Sequence, residues 1–380
     1  MSARFTVTYQ VRGTAEDIAA RAQAIAVEQS VEMPLAAIHD EKILSEIVGV
    51  VEGIDDIGDG SFTVRIGLAT ESVGHDAGQF LNMIFGNTSL HDDVMLKDVA
   101  VPDSLAKVFR GPRHDVAALR SRLGIPARAL TGSALKPQGM SADRLGALAA
   151  QLASGGLDFV KDDHGLADQD YSRFAGRVRA CSAGVGRAAR STGHPTRYIP
   201  SVTGDLTVMR SQIAFARSEG LDCVMLAPMI CGFPTMQTLR QEFPEMALFA
   251  HPSMGGAARI APELLIGGLF RLLGADAVIF PSFGGRFGYS SETCRRLADN
   301  ARRSGDGLKA ALPVPAGGMT VERTDEVLDF YGPDTLLLIG GNLLMAGDRI
   351  TAETERFTRA VADHRFTNQS VITLNGTSGA

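Results

Sequence analysis

The chain has 380 residues, of which 45% are hydrophobic and 21% charged, ordinary values for a globular protein. A formal charge of -6, an aromatic content of 6% and the lack of Trp exclude a polyanion-binding surface and a base-stacking platform, so nucleic acid is not an expected partner. No apolar run approaches the roughly 20 residues of a membrane span. The opening MSARFTVTYQV reads as a strand and not as a targeting signal, and Cys181, Cys223, Cys231 and Cys294 show no CxxC spacing, so free thiols and a cytoplasmic setting are expected.

Phe5–Val11 alternates as a strand, and Thr14–Ser30 is an Ala-rich amphipathic helix with Thr14 as its N-cap and Asp17 in its first turn. Strand-like runs at Glu46–Ile54 and Ser61–Ala69 flank the turn-rich DDIGDG, and a helix over His75–Phe85 leads to an extended stretch over Met95–Val101. This βαββαβ order predicts a ferredoxin-like α+β domain over residues 1–125, left through helical connectors at Asp103–Phe109 and His114–Leu123.

Over residues 126–380 short apolar strands alternate with helices. Strands are expected at Ala129–Leu135, Leu157–Lys161, Arg197–Val202, Cys223–Ile230, Ala247–Pro252, Ala277–Phe283, Ala311–Ala316 and Thr335–Ile339. Helices are expected between and after them, at Ser141–Ser154, Tyr171–Ser191, Leu206–Ser218, Pro262–Leu273, Ser291–Arg303, Val321–Phe330 and Ala352–His364. Such a series predicts an α/β fold, a C-terminal (β/α)8 TIM barrel, with a doubly wound sheet as runner-up. Chemistry in such barrels sits where strands end, and those positions read Lys136, Lys161–His164, Thr203–Asp205, His251, Arg286, Gly317–Gly318 and Gly340–Asn342.

The sharpest segment is GGLDFVKDDH, residues 155–164. Alternate side chains of a strand share a face, so Phe159, Lys161 and Asp163 point one way. A lysine on the inner face of a barrel must be neutralised, paired or converted by CO2 to a carbamate. A carbamate beside Asp163 makes two hard oxygen donors suited to Mg2+, and a plain Lys161–Asp163 ion pair is the alternative. Lys136, in GSALKPQGMS, reads either as a phosphate partner or as an acid–base group. The glycine pairs Gly317–Gly318 and Gly340–Gly341 let backbone N–H groups approach a phosphate, or serve as tight turns. Taken alone, Asn87 is a turn residue and Glu28 a solvated helix end.

GGLDFVKDD resembles the GGLDFTKDDE signature of RuBisCO large chains, and GSALKPQGMS is similar to that family's GTIIKPKLGLS. IFGN resembles IVGN, AVEQS resembles AAESS, and VPDSLAKVFRGPRHDV resembles IPPAYSKTFQGPPHGI. The resemblance implies that Lys161 is the carbamylated lysine, built from CO2, and that Asp163 is the next magnesium ligand. The third ligand is a glutamate in that family and His164 here, a softer donor that widens the choice to other divalent metals. It implies Lys136 as the proton-handling lysine, and Gly317, Gly318, Gly340 and Gly341, with the adjoining Asn342, as the holders of one substrate phosphate. Glu28 and Asn87 become substrate ligands supplied by a neighbouring subunit, which implies at least a homodimer.

The departures from a carboxylase are as informative. The family's second lysine after Lys136 is Gln138; the strand-five histidine is kept as His251, but the arginine after it is Pro252. The strand-six histidine is Ile279, the loop-six lysine falls at Arg286, and the serine before the first glycine pair is Ala316. Met33 and Pro34 stand for a threonine–tryptophan pair, and the chain runs on only briefly after the eighth helix, so a long C-terminal lid is not expected. The losses remove the charge for a second phosphate while sparing the enolising residues. The expected activity is therefore that of a RuBisCO-like lyase or isomerase, enolising a monophosphorylated keto sugar or keto sugar acid with metal assistance. Residual bisphosphate carboxylation and phosphate binding without turnover are the alternatives. No apolar pocket for a methylthio group is readable from the residues.

Overall fold

The computed structural model describes residues 3–126, 128–303 and 307–366. Phe5, Val7, Tyr9 and Val11 are buried on one face of β1 (Arg4–Arg12), the period of two that a half-covered strand requires. They pack with Ala22, Ile25 and Ala26 of α1 (Ile18–Glu28). The helix starts four residues later than expected: Thr14 does accept from the Asp17 amide at 3.3 Å, but its hydroxyl closes a turn ahead of the helix. Its C-terminal expectation, Ser30, also lies beyond the helix, in a bend where the hydroxyl donates to the Ala26 carbonyl at 2.6 Å.

β2 (Val50–Asp56) begins later than Glu46, because Ile43–Ile47 forms a π-helical turn. β3 (Ser61–Ala69), α2 (Ala77–Phe85), capped by the Asp76 carboxylate, and β4 (Val94–Ala100) complete the unit. The sheet order β2-β3-β1-β4, antiparallel throughout, is the ferredoxin-like arrangement expected from βαββαβ. Helices α3 (Asp103–Phe109) and α4 (Val116–Leu123) lead away from it.

Eight parallel strands follow: β5 (Leu130–Leu135), β6 (Phe159–Asp162), β7 (Arg197–Ile199), β8 (Cys223–Leu226), β9 (Ala247–Ala250), β10 (Ala277–Pro281), β11 (Leu312–Ala316) and β12 (Leu336–Leu338). Between them lie α5 (Ala142–Ser154), α6 (Phe174–Thr192), α7 (Leu206–Ser218), the short α8 (Pro228–Cys231), α9 (Phe233–Glu242), α10 (Phe270–Leu272), α11 (Ser291–Arg302) and α12 (Thr324–Tyr331), and after β12 the short α13 (Gly341–Leu344) and α14 (Ile350–Asp363) close the series. The segment before α10, read in the sequence as plain helix, runs as a π-helix over Glu263–Leu269. The sheet order β7-β6-β5-β12-β11-β10-β9-β8 closes between its outer strands, where the Val202 amide donates to the Met225 carbonyl at 2.8 Å. This is a barrel and not a doubly wound sheet, because each strand pairs with its sequence neighbours and the first with the last.

Two apolar layers hold it. Leu130, Phe159, Ile199, Met225, Phe249, Ile279, Val314 and Leu336 fill the interior, and Leu119 and Leu123 of α4 plug the end where strands begin. At that end Asp158 accepts from Arg128 at 2.7 and 2.8 Å, and Asp276 accepts from Arg240 at 2.8 Å. The opposite end is left for function. The small sheet is tied to the barrel where the Leu96 amide donates to the Arg259 carbonyl at 2.9 Å and the Leu96 carbonyl accepts from Ala261 at 2.8 Å. Among the described residues no helix is long and apolar enough to cross a membrane.

Candidate active site

The ends of β5, β6, β9, β10, β11 and β12 open into one cavity of about 840 Å³. It collects Lys136, Lys161, Asp163, His164, His251, Arg286, Gly317, Gly318, Gly340, Gly341 and Asn342, residues from six different strand ends and loops. Thr203 and Asp205 are not in its lining: Asp205 caps α7 through the Val208 amide at 2.8 Å, and the Thr203 amide donates to Gln212.

Alternation along β6 sends Lys161 and Asp163 into the mouth and Asp162 outward against the helices. Lys161 is 4% exposed and its ammonium donates to the Asp162 carbonyl at 2.9 Å. Burial pushes the Lys161 amine down to about 8; Asp163 opposes that shift and Lys136 adds to it. In place of the Lys161–Asp163 ion pair, the alternative to a carbamate, Lys136 Nζ lies 2.5 Å from Asp163 Oδ1. Burial alone would raise the Asp163 carboxyl, but hydrogen bonds from His164 and Lys136 outweigh it and hold the group well below the usual carboxylate range.

His164 Nδ1 is 3.5 Å from Asp163 Oδ1, and its ring stacks on His251 with centroids 4.4 Å apart and 9° between planes. His251 is fixed through Nδ1 to the Ser253 hydroxyl at 2.7 Å. Burial, then Lys161 and His164, keep the imidazole neutral near pH 7, so it brings no positive charge to its side of the cavity.

Among the described residues no group of three or more His, Cys, Asp and Glu side chains is placed to hold a metal ion. A hard divalent cation fits here only if Lys161 contributes oxygen as a carbamate next to Asp163, and the buried amine with its lowered pKa is the form that adds CO2. His164, in the cavity lining beside Asp163, would complete the donor set. The residues present fit the cation on that condition.

Gly317 and Gly318 have φ of +77° and +68°, a region that side chains avoid. A Cβ on Gly318 would collide with the Gly285 backbone, whereas a Cβ on Gly340 or Gly341 meets nothing within 4 Å and faces open space. Asn342 Oδ1 accepts from the Val321 amide at 3.3 Å and so ties the loop after β11 to the start of α13. Gly318→Ala is expected to lower affinity for a phosphorylated ligand about tenfold or more and to cost about 1–3 kcal/mol of stability, since it meets both strain and backbone. Titration with inorganic phosphate and thermal unfolding check both.

Glu28 and Asn87 are brought to each other but not to this cavity. Asn87 Nδ2 donates to Glu28 Oε1 at 2.9 Å and to Glu32 Oε1 at 2.8 Å, beside the exposed Leu90 and Met33.

Sequence reasoning missed one side of the cavity. Pro252, Met254, Ile279, Phe287, Tyr289 and Met345 form an apolar wall carried mainly by the loops after β9 and β10. Apart from Ile279 in β10, these residues come from separate loops without periodicity, and the exposure of Met254, Phe287 and Met345 in the fold reveals the wall.

The profile described as "Ribulose bisphosphate carboxylase large chain, catalytic domain" matches residues 115–355. A 5-methylthioribulose-1-phosphate isomerase of Rhodospirillum rubrum is 54% identical over 95% of this chain and 97% of that protein. Ribulose bisphosphate carboxylase-like protein 1 of Rhodopseudomonas palustris is 52% identical over 96% of this chain and 99% of that protein. The crystal structure of a Rubisco-like protein from Rhodopseudomonas palustris superposes with a TM-score of 0.90 at 45% identity, covering 97% of this chain and 100% of that one. Motifs, barrel and relatives converge: the chain belongs to the RuBisCO large-chain superfamily, on its RuBisCO-like branch.

Proposed function

We propose that the chain is an isomerase that enolises a monophosphorylated ketose of the 5-methylthioribulose 1-phosphate kind, and that it is not a ribulose bisphosphate carboxylase. The observation that carries this reading is the asymmetry of the cavity. Lys136, Lys161 and Asp163 meet at its centre, glycine pairs line one side, and an apolar wall stands where a second phosphate would need cations. The name of the Rhodospirillum rubrum relative supports the substrate and the reaction.

Isomerisation of a ketose removes a proton from a carbon next to the carbonyl and returns one to its neighbour, with no other reactant consumed. Asp163, a Lys161 carbamate and His164 would hold a divalent cation, which would supply Lewis-acid polarisation of the carbonyl. Gly317, Gly318, Gly340 and Gly341 bind the phosphate through backbone N–H groups and so fix which carbons face Lys136 and Lys161. Lys136, whose ammonium reaches Asp163 Oδ1, carries the proton. Arg286 brings positive charge on the loop after β10, with its guanidinium 4.8 Å from the Phe287 ring centroid. Glu28 and Asn87 complete the mouth of a second copy in a homodimer, which accounts for an Asn–Glu pair placed away from its own cavity.

With Mg2+ and bicarbonate present, phosphorus NMR is expected to show 5-methylthioribulose 1-phosphate converted to an isomer. Ribulose 1,5-bisphosphate with labelled bicarbonate is expected to leave no acid-stable label. Fixed label, or an unchanged thio-sugar with every divalent metal tried, would contradict the proposal.

A further inference from the structure

His251 follows β9 and extends its ladder, with its amide on the Leu226 carbonyl at 2.8 Å, and Pro252 leads from it into a tight turn. The Gly255 amide donates to the Pro252 carbonyl at 2.8 Å and closes that turn, with Met254 at φ +65° in its third place. Ser253, in the second place, is folded back onto the imidazole. Both of its donors meet one ring atom. The Ser253 amide donates to His251 Nδ1 at 3.2 Å, and the Ser253 hydroxyl lies 2.7 Å from the same nitrogen.

Those two contacts decide where the ring carries its hydrogen. A hydroxyl can turn to donate or to accept, but a backbone amide can only donate. Nδ1 is therefore the accepting nitrogen, and a neutral imidazole with a bare Nδ1 holds its hydrogen on Nε2. The opposite tautomer would set one hydrogen against another and lose the amide bond. His251 lines the cavity with Lys136, Lys161 and Asp163, and its stacking on His164, with centroids 4.4 Å apart, fixes the plane of the ring. Among the described residues Nε2 has no hydrogen-bond partner in the protein. A half-buried N–H without a partner, at the lining of a cavity, is a donor held for a ligand oxygen.

We propose that Ser253 is a positioning residue that locks His251 in the Nε2–H tautomer, so that His251 donates a hydrogen bond to a substrate oxygen and cannot serve as the base. Enolisation of a ketose builds negative charge on oxygen, and a fixed neutral donor stabilises it without adding a positive charge beside the candidate cation site. Taking the proton from carbon then falls to a lysine and not to this histidine. The nature of the substrate oxygen rests on the reading of this cavity as a ketose phosphate site, whereas the tautomer does not.

The test is nitrogen-15 NMR of the full chain labelled at histidine, with the His251 signals assigned by their loss in His251→Gln. Nδ1 is expected at the shift of a ring nitrogen without hydrogen, and Nε2 at that of one bearing it. Ser253→Asp puts a charged acceptor beside Nδ1 and is expected to draw the hydrogen there, leaving Nε2 bare. Ser253→Thr, which keeps the hydroxyl, is expected to keep the hydrogen on Nε2. In the presence of Mg2+ and bicarbonate, Ser253→Asp should lower kcat on 5-methylthioribulose 1-phosphate about 100-fold, the loss that follows removal of one donor to a developing oxyanion, with KM within about threefold. A merely structural serine would leave the tautomer as it is in all three proteins. Hydrogen on Nδ1 in the parent, a tautomer that Ser253→Asp leaves unchanged, or a reversed tautomer with kcat within about twofold of the parent would overturn the proposal. A parent protein that shows the Nε2–H tautomer yet isomerises no ketose phosphate refutes the proposed activity and leaves the Ser253–His251 assignment standing.

Discussion

Lys161→Ala is expected to lower kcat/KM by about 10³-fold or more, equivalent to about 4 kcal/mol of transition-state stabilisation. The size follows from what the side chain supplies. Among the described residues no other trio of acidic, His or Cys side chains can replace it as a cation site. The loss is chemical and not structural: the lysine is buried at a strand end, and removing it takes a buried ammonium away and leaves Asp163 its pairing with Lys136. A second consequence separates a carbamate from a simple ion pair. Burial pushes the amine down to about 8, so the neutral form that reacts with CO2 becomes dominant as pH rises through about 8 and not through the usual lysine range. Activation by bicarbonate and Mg2+ is therefore expected to rise with pH and level off above that value. Carbon-13 NMR after incubation with labelled bicarbonate should show a carbamate signal in the parent and none in Lys161→Ala. A signal that survives the substitution would place the modification on another lysine.

Arg177→Met is expected to destabilise the fold by about 3–5 kcal/mol, the cost of leaving one charge of a buried pair without its partner. Arg177 and Asp162 are both wholly buried, and Arg177 Nε donates to Asp162 Oδ2 at 2.9 Å. The same carboxylate accepts from the Tyr198 hydroxyl at 2.7 Å and from the Ser201 amide at 3.0 Å. Burial raises the Asp162 carboxyl, and Arg177, Tyr198 and Ser201 are what oppose it; remove the arginine and the group must either protonate or stay charged in a dry interior. For a chain of this size the loss corresponds to a drop in Tm of roughly 4–6 °C. Tyr198→Phe removes one neutral donor to a carboxylate and should cost less, about 1.5–3 kcal/mol. Thermal unfolding followed by circular dichroism compares the two. Equal, small shifts would mean that Asp162 is already neutral in the folded protein.

The difference between Asp162 and its neighbours shows how far the sequence could be read. The alternation of apolar strands with helices was legible because eight units repeat one pattern, and strand-end polar residues were legible because an apolar strand rarely ends in Lys161-Asp162-Asp163 without a use for them. Period two separates Lys161 and Asp163 from Asp162, yet nothing in the local sequence says that Asp162 would meet Arg177 and Tyr198, which lie 15 and 36 residues away. The pairing of Asp163 with Lys136 and not with Lys161 was likewise out of reach, since it depends on adjacent strands β5 and β6 and on their register, with Ala134 opposite Lys161. Element ends drifted where turns intervened, as at Thr14 before α1, at the π-helical turn Ile43–Ile47 that delays β2, and at the π-helical Glu263–Leu269. The apolar wall stayed hidden because Met254, Phe287 and Met345 sit in loops, where hydrophobicity has no period to reveal it.

The central claim is that this cavity breaks and remakes a carbon–hydrogen bond beside a ketone in a monophosphorylated sugar. It is tested most directly with 5-methylthioribulose 1-phosphate carrying deuterium on the carbon next to the carbonyl, followed by proton and deuterium NMR in the presence of Mg2+ and bicarbonate. The account predicts that the deuterium leaves its carbon, either to the neighbouring carbon of an isomer or to solvent, and that it stays in place with Lys161→Ala. Deuterium that remains where it started in every recovered sugar phosphate, with the parent protein fully loaded, would contradict it.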